Sequence, residues 1–396
     1  MRMSEKSLLD SVMGGCLLHQ GGEASIYLLN IGAKLYVLKW YNDGFSFDEN
    51  VVKNTYKVHD SGLYRIEEWG CRDGTPYVIY DFVEGVVSDK LGRIPVAISL
   101  LALRQVVSTL DLLRKQNVSH GDISPANVIF SMEGDNVAAN KGKNSLSCGL
   151  RTVLIDCGIV GPGTLAYAAP ERFQGKSPDE KSDMFSLGLL LYRWISGEDL
   201  IHADGYEQFA EQMANVENVN VTEKLYATGA FDSPEGAEVL SALEPLWKGL
   251  LCSDASGRIE DYDELDELLE IALGKVVPGE IAFATSVAQF IRTRLTDSGD
   301  VSNVARKVPN GLKNDLPFIV HKKKKWLKWG VWGTLILILA LIVLLLSSGT
   351  MSFGIDATGE RLLKRSRSME PTTESDDVPN LKVDSLLLDL PVPSAE

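Results

Sequence analysis

No two of the five cysteines (Cys16, Cys71, Cys148, Cys157, Cys252) stand in a Cys-x-x-Cys spacing, and none follows residue 252. That excludes a zinc ribbon or a disulfide scaffold and leaves reduced thiols of the cytosolic kind. Basic charge is scarce as well. The 39 Lys and Arg against 54 Asp and Glu give a formal charge of −15, so no broad cationic surface is offered to a nucleic acid. The first ten residues hold two positive charges but no apolar run of signal-peptide length, and no segment repeats along the 396 residues. Such a length allows two domains, or one large two-lobed domain with appendages.

Charge is missing altogether from Trp329 to Ile355, where Val331 to Leu346 is nearly all Leu, Ile and Val. At ~1.5 Å per residue, about 20 residues of helix cross the ~30 Å hydrocarbon layer. Trp326, Trp329 and Trp332 make an interfacial belt beside Lys322 to Lys325 and Lys328. The expectation is one membrane-spanning helix over 329–350, with residues 1–328 in the cytosol and a short disordered tail, 351–396, outside.

What is present is led by His120-Gly121-Asp122-Ile123-Ser124-Pro125-Ala126-Asn127, followed by the apolar Val128-Ile129-Phe130. An Asp and an Asn five residues apart, with a proline to hold the turn, suit phosphoryl transfer. The Asp accepts the proton of an attacking hydroxyl and the Asn carbonyl binds Mg²⁺. That spacing alone is common. A second stretch, Val153-Leu154-Ile155-Asp156-Cys157-Gly158, delivers another Asp on an apolar strand to a glycine turn, where a second magnesium ligand is needed.

These stretches resemble the catalytic loop and the magnesium-binding turn of eukaryotic-like (Hanks-type) serine/threonine protein kinases, of the bacterial membrane-anchored receptor kind. Gly121 stands for the usual Arg and Cys157 for the usual Phe. The resemblance implies an α+β, two-lobed protein-kinase fold over 12–273, with a β-rich small lobe at about 12–80 and a helical large lobe at about 86–273. A juxtamembrane linker at 276–328 would join it to the membrane.

Taken in order, Leu17 to Leu28 reads as two strands turned at Gly21-Gly22, matching part of a phosphate-cradling glycine loop, although His19 and Ala24 replace two of its glycines. The strand Lys34 to Trp40 carries Lys39 at the position that pairs the ATP phosphates. Its carboxylate partner would come from a helix at 47–58, Glu49 being preferred to Asp48. Strands at 63–69 and 76–80 turn at Asp73-Gly74, and Asp81 to Gly85 resembles the hinge, Tyr80 taking the gatekeeper position. By the resemblance, ATP would meet Ile26, Val37, Ile129 and the main chain of Asp81 and Val83. Asn127 and Asp156 would hold Mg²⁺, and Asp122 would be the catalytic base. Ser124 stands where the family carries a γ-phosphate lysine, and it supplies a hydrogen bond but no charge.

Apolar spacing from Ile94 to Gln116 predicts one buried helix. Residues 134–150 read as a polar insertion. Gly163-Thr164 and Ala169-Pro170-Glu171 resemble the substrate-side loop of Ser/Thr kinases, with Arg258 as the partner of Glu171 and Asp183 tying its helix to the catalytic loop. Losing Arg from the catalytic loop removes the clamp for a phosphorylated activation loop. The expectation is therefore regulation by membrane or juxtamembrane contacts, with a homodimer through either. Three readings follow: an active protein kinase using ATP and Mg²⁺ on protein Ser or Thr, a pseudokinase scaffold, and a small-molecule phosphotransferase.

Overall fold

The computed structural model describes residues 7–132, 149–157, 163–229, 231, 234–277, 279–296 and Leu316. Residues 134–148 of the expected insertion, the membrane-spanning run and the tail lie outside the described residues, and Leu150, placed in the insertion, begins a strand.

The small lobe is a five-stranded antiparallel sheet in the order β1-β2-β3-β5-β4, made of β1 (Gly14–Gln20), β2 (Ala24–Ile31), β3 (Lys34–Tyr41), β4 (Ile66–Arg72) and β5 (Thr75–Asp81). β4 and β5 turn at Asp73 and Gly74, both with positive φ (53° and 88°). Only a two-residue turn of that hand matches the twist of the strands it joins. α1 (Glu49–Thr55) is capped by Asp48, whose side chain accepts from the amides of Asn50 and Val51. It is seven residues long, shorter than the expected 47–58.

Side chains alternate across a strand, so β3 feeds two layers. Tyr41 joins Val52 of α1, Ile66 and Val78 on one face. Leu38 and Trp40 join Leu29, Tyr77 and Ile79 on the other, where Leu9, Val12 and Leu316 cover them. The N-terminal turn Leu8–Ser11 is held there by Glu68, which accepts from the Leu8 amide (2.7 Å) and the Tyr77 hydroxyl (2.7 Å).

A second sheet, β6 (Val86–Val87), β7 (Val128–Met132) and β8 (Leu150–Leu154), roofs the large lobe. Beneath it α2 (Val96–Arg114) is apolar on nearly every side and packs against β8, α4 (Glu180–Ser196) and α8 (Tyr262–Val276). It is long and apolar enough to cross a membrane by composition, but its contacts make it the core helix of this lobe. α4 begins at a capping box of Asp179 and Ser182 and ends at Gly197, whose φ of 84° suits glycine. α3 (Pro170–Phe173), α5 (Tyr206–Ala214), α6 (Val221–Ala227) and α7 (Pro234–Leu250) complete the lobe.

The stretch expected to be linker holds more structure. α9 (Glu280–Phe290) inserts Phe283, Val287 and Phe290 into the large-lobe core, and Phe290 meets the Phe130 ring edge-on at 6.0 Å. A π-helical turn follows at Ile291–Thr296, from which Arg294 donates to the carbonyl of Leu91 (3.3 Å). The spacing of those three side chains covers one helix face. Their partner surface is assembled from β7 and neighbouring elements far away in sequence, which the segment alone does not reveal.

Candidate active site

The loop after α2 is tied down from below. Asp183 of α4, 1% exposed, accepts the main-chain amides of His120 (2.7 Å) and Gly121 (2.9 Å). Gly121 has φ 80°, a conformation that glycine adopts without strain. Burial pushes the Asp183 carboxyl up to about 6, only partly opposed by the His120 ring and the two amides. His120 is itself fully buried, its Nε2 facing the Ile155 carbonyl at 3.0 Å. A carbonyl can only accept, so Nε2 carries the proton and the ring packs as a structural histidine.

The Asn127 side-chain amide donates to the Asp122 carbonyl (2.8 Å) and to Asp122 Oδ2 (2.7 Å). The other carboxylate oxygen of Asp122, Oδ1, accepts the Thr164 amide at 2.6 Å. Gly163 permits that approach: its φ is 72°, and a Cβ there would lie 2.7 Å from Asp122 Oδ1. The Ile155 amide donates to the Asn127 carbonyl (3.0 Å), which sets the turn bearing Asp156 beside the loop bearing Asn127.

Asp156 has φ 63°, a left-handed backbone that an Asp tolerates better than most residues. From there its Oδ1 bonds the Lys39 ammonium. Lys39 is 8% exposed and lies 5.4 Å from the Tyr41 ring centroid. Burial presses its pKa down. The charge of Asp156, followed by Tyr41, outweighs that and leaves it above the ordinary lysine value. Val37, Lys39 and Tyr41 share one face of β3, with Ile26 paired to Lys39 and Tyr80 paired to Val37 in the ladders. Val37 and Ile129 are both buried.

The structure thus links Lys39, Asp156, Asn127 and Asp122 into one continuous constellation. It departs from expectation at two places. Neither Glu49 nor Asp48 meets Lys39. Glu49 is exposed and pairs with Lys53 (2.6 Å), while Asp48 is spent on the helix cap. α1 starts at residue 49 and turns Val52 and Thr55 inward, so its only acids sit at the outer end. Ser124, for its part, is 1% exposed, and its Oγ finds no partner among the described residues. Its short side chain stays inside the loop, and it presents no hydroxyl to the cleft.

The glycine turn is a closed hairpin. The Gly21 amide donates to the Ala24 carbonyl (3.0 Å), and the Asn42 side chain donates to the carbonyls of Gly21 (3.0 Å) and Gly22 (2.8 Å). A Cβ at Gly22 would meet nothing within 4 Å. Asn42 had no signal beyond its place just after β3. Tyr64 was missed likewise: its ring stacks on Tyr80 at 4.7 Å and 6°. Burial, with Asp156 nearby, holds the Tyr80 phenol well above its ordinary range. At the hinge, the Asp81 amide donates to the Arg65 carbonyl (2.9 Å) and its side chain pairs with Lys34.

The substrate-side loop is anchored by a bidentate pair, Arg258 to Glu171, at 2.6 and 2.8 Å. Both side chains are buried, and Arg258 also donates to three carbonyls. Removing either member would leave an uncompensated buried charge worth about 3–5 kcal/mol. Tyr167 bonds Asp199 and is buried, whereas Thr164 is exposed.

Oxygen donors are what a hard divalent cation takes. Asn127 spends its amide nitrogen on Asp122 and keeps its carbonyl oxygen, and the Asp156 carboxylate is about one-third exposed. Among the described residues no cluster of three or more His, Cys, Asp or Glu side chains could hold a metal unaided. Two donors suit Mg²⁺, which keeps waters and phosphate oxygens in its shell.

Comparison with known proteins agrees with this chemistry. The protein kinase domain model matches residues 72–270. The probable serine/threonine-protein kinase PknB of Bifidobacterium longum is 27% identical over 165 residues, covering 40% of this chain and 24% of that protein. PknJ of Mycobacterium tuberculosis is 31% identical over 153 residues, 37% of this chain and 24% of its own length. The chain therefore spans about a quarter of the length of these relatives. PknL of M. tuberculosis is 22% identical over 323 residues, 75% of this chain and 76% of its own. Among solved structures, the M. tuberculosis PknI kinase domain aligns with a TM-score of 0.46 at 18% identity, covering 67% of this chain and 97% of that one.

Proposed function

The chain belongs to the protein kinase domain family, and on that premise we propose that it transfers the γ-phosphate of ATP to Ser or Thr hydroxyls of protein substrates. The observation that carries the reading is the unbroken run of contacts from Lys39 through Asp156 and Asn127 to Asp122. Asn127 and Asp156 would hold Mg²⁺, which when bound supplies charge neutralisation on the phosphates. Lys39 exchanges Asp156 for phosphate oxygens, and Asp122 takes the proton of the incoming hydroxyl. Each carboxylate oxygen can accept two hydrogen bonds, so that hydroxyl can share Asp122 Oδ1 with the Thr164 amide. Such a site works by positioning and electrostatics more than by covalent chemistry.

A second reading, a nucleotide-binding pseudokinase, is favoured by the absence of a helix carboxylate on Lys39 and by the buried Ser124. The two readings separate on the full chain in lipid nanodiscs with radiolabelled ATP and a generic protein substrate. Asp122→Asn is expected to lower turnover by about 10²–10⁴-fold. Equal phosphorylation by wild type and variant would reject the catalytic assignment. A Mg-ATP thermal shift without phosphorylation would favour the scaffold. We also propose that the run 329–350 anchors the chain in the plasma membrane as a single pass, with the kinase domain in the cytosol, supported by its length, its lack of charge and the flanking lysines.

A further inference from the structure

Leu316 is fully buried although it lies twenty residues beyond Thr296, where the last helical turn among the described residues ends, and it is buried in the small lobe. Its surroundings are built for it. Leu9 and Val12 of the N-terminal turn form one wall, and Trp40 and Tyr77, stacked at 6.1 Å and 14°, belong to the same layer. Gly15 leaves room, since a Cβ there would sit 3.1 Å from Leu316 Cδ2. The wall is itself fixed, because Glu68 holds the turn and Arg72 pairs with Asp10 at 2.8 Å.

We propose that the outer face of the small lobe is a docking surface for the chain's own segment at Leu316, seated in cis. The connecting residues have about 65 Å of contour, against a radius of gyration of about 19 Å for a domain of this size, so one chain reaches its own small lobe easily. The chain leaves α9 on the large lobe and engages the small lobe again at Leu316. The lobes therefore share a second tie besides the hinge. That tie bears on β3, whose Leu38 and Trp40 face the layer with Leu316 while Lys39 points to the opposite face. A pull or release beyond residue 316 thus acts on the strand that carries Lys39. The docking does not depend on the phosphoryl-transfer reading, and neither do its tests.

The test uses the full chain in nanodiscs loaded with one copy each. In Leu316→Cys, iodoacetamide labelling followed by peptide mass spectrometry is expected to modify the introduced thiol at least tenfold more slowly than the exposed native Cys71. Equal rates overturn the proposal. Protection seen only in discs holding two copies would place the segment on a second molecule and overturn the cis assignment. In Leu316→Asp, amide exchange across Gly14–Ile31 is expected to rise tenfold or more while α2 keeps its protection, and Leu316→Met should leave both unchanged. An unaltered small lobe in the Asp variant would show that nothing is held there.

Discussion

Asp183 shows how one side chain can position the site at a thermodynamic cost. Its carboxyl binds a proton more tightly in the folded chain, at about 6, than the ordinary 3.8 of an exposed Asp. A raised acid stabilises the fold fully below the lower value and loses that contribution as pH rises through the upper one. Wild type should therefore lose about 2 kcal/mol relative to Asp183→Asn between pH 4 and pH 7. Urea midpoints of both proteins across that range check the sign, and a gap that moves the other way with pH would refute it. A second expectation concerns Glu49. Because it pairs with Lys53 in solvent, Glu49→Gln should change kcat/KM by less than about twofold, as exposed pairs contribute little. A hundredfold loss would mean that α1 moves to Lys39 during turnover. At this scale the tie from Asp183 to the catalytic loop and the Glu171–Arg258 pair were expected from the resemblance to protein kinases, and both contacts are present; Asp122, Asn127 and Asp156 were picked out by the same resemblance, and the structure brings them together. The partner of Lys39 was not legible in the sequence, because it depends on where a short helix begins and on contacts across a cleft. Single polar or aromatic residues such as Asn42 and Tyr64 carry no periodic signal at all.

Elements divide along similar lines. β3, β5 and α2 announce themselves by alternation or by unbroken apolar runs, and the Asp73-Gly74 turn by residues that accept positive φ. α9 did not, because a single apolar face of Phe283, Val287 and Phe290 says nothing about what it packs on. Its burial makes the folded domain longer than the expected 12–273. Phe290→Ala should destabilise the large lobe by about 3–5 kcal/mol, read from chemical denaturation, through the cavity left beside Phe130. A loss under about 1 kcal/mol would mean that α9 is a loosely attached appendage.

For the molecule as a whole, the two-lobed α+β organisation was readable because its motifs come in a fixed order along the chain, each on its expected element. The second covering of the small lobe was not readable, since it joins residues 9, 12 and 316 through space. That covering has a consequence for how substitutions distribute. An ordinary half-solvated strand has a forgiving side, so a saturation library of it shows tolerance at every other position. From Val37 to Tyr41 every residue is buried, so this strand has no such side. Functional scores across a library of those five codons should stay uniformly low for polar replacements, and an every-other-residue rhythm of neutral variants would contradict the double layering.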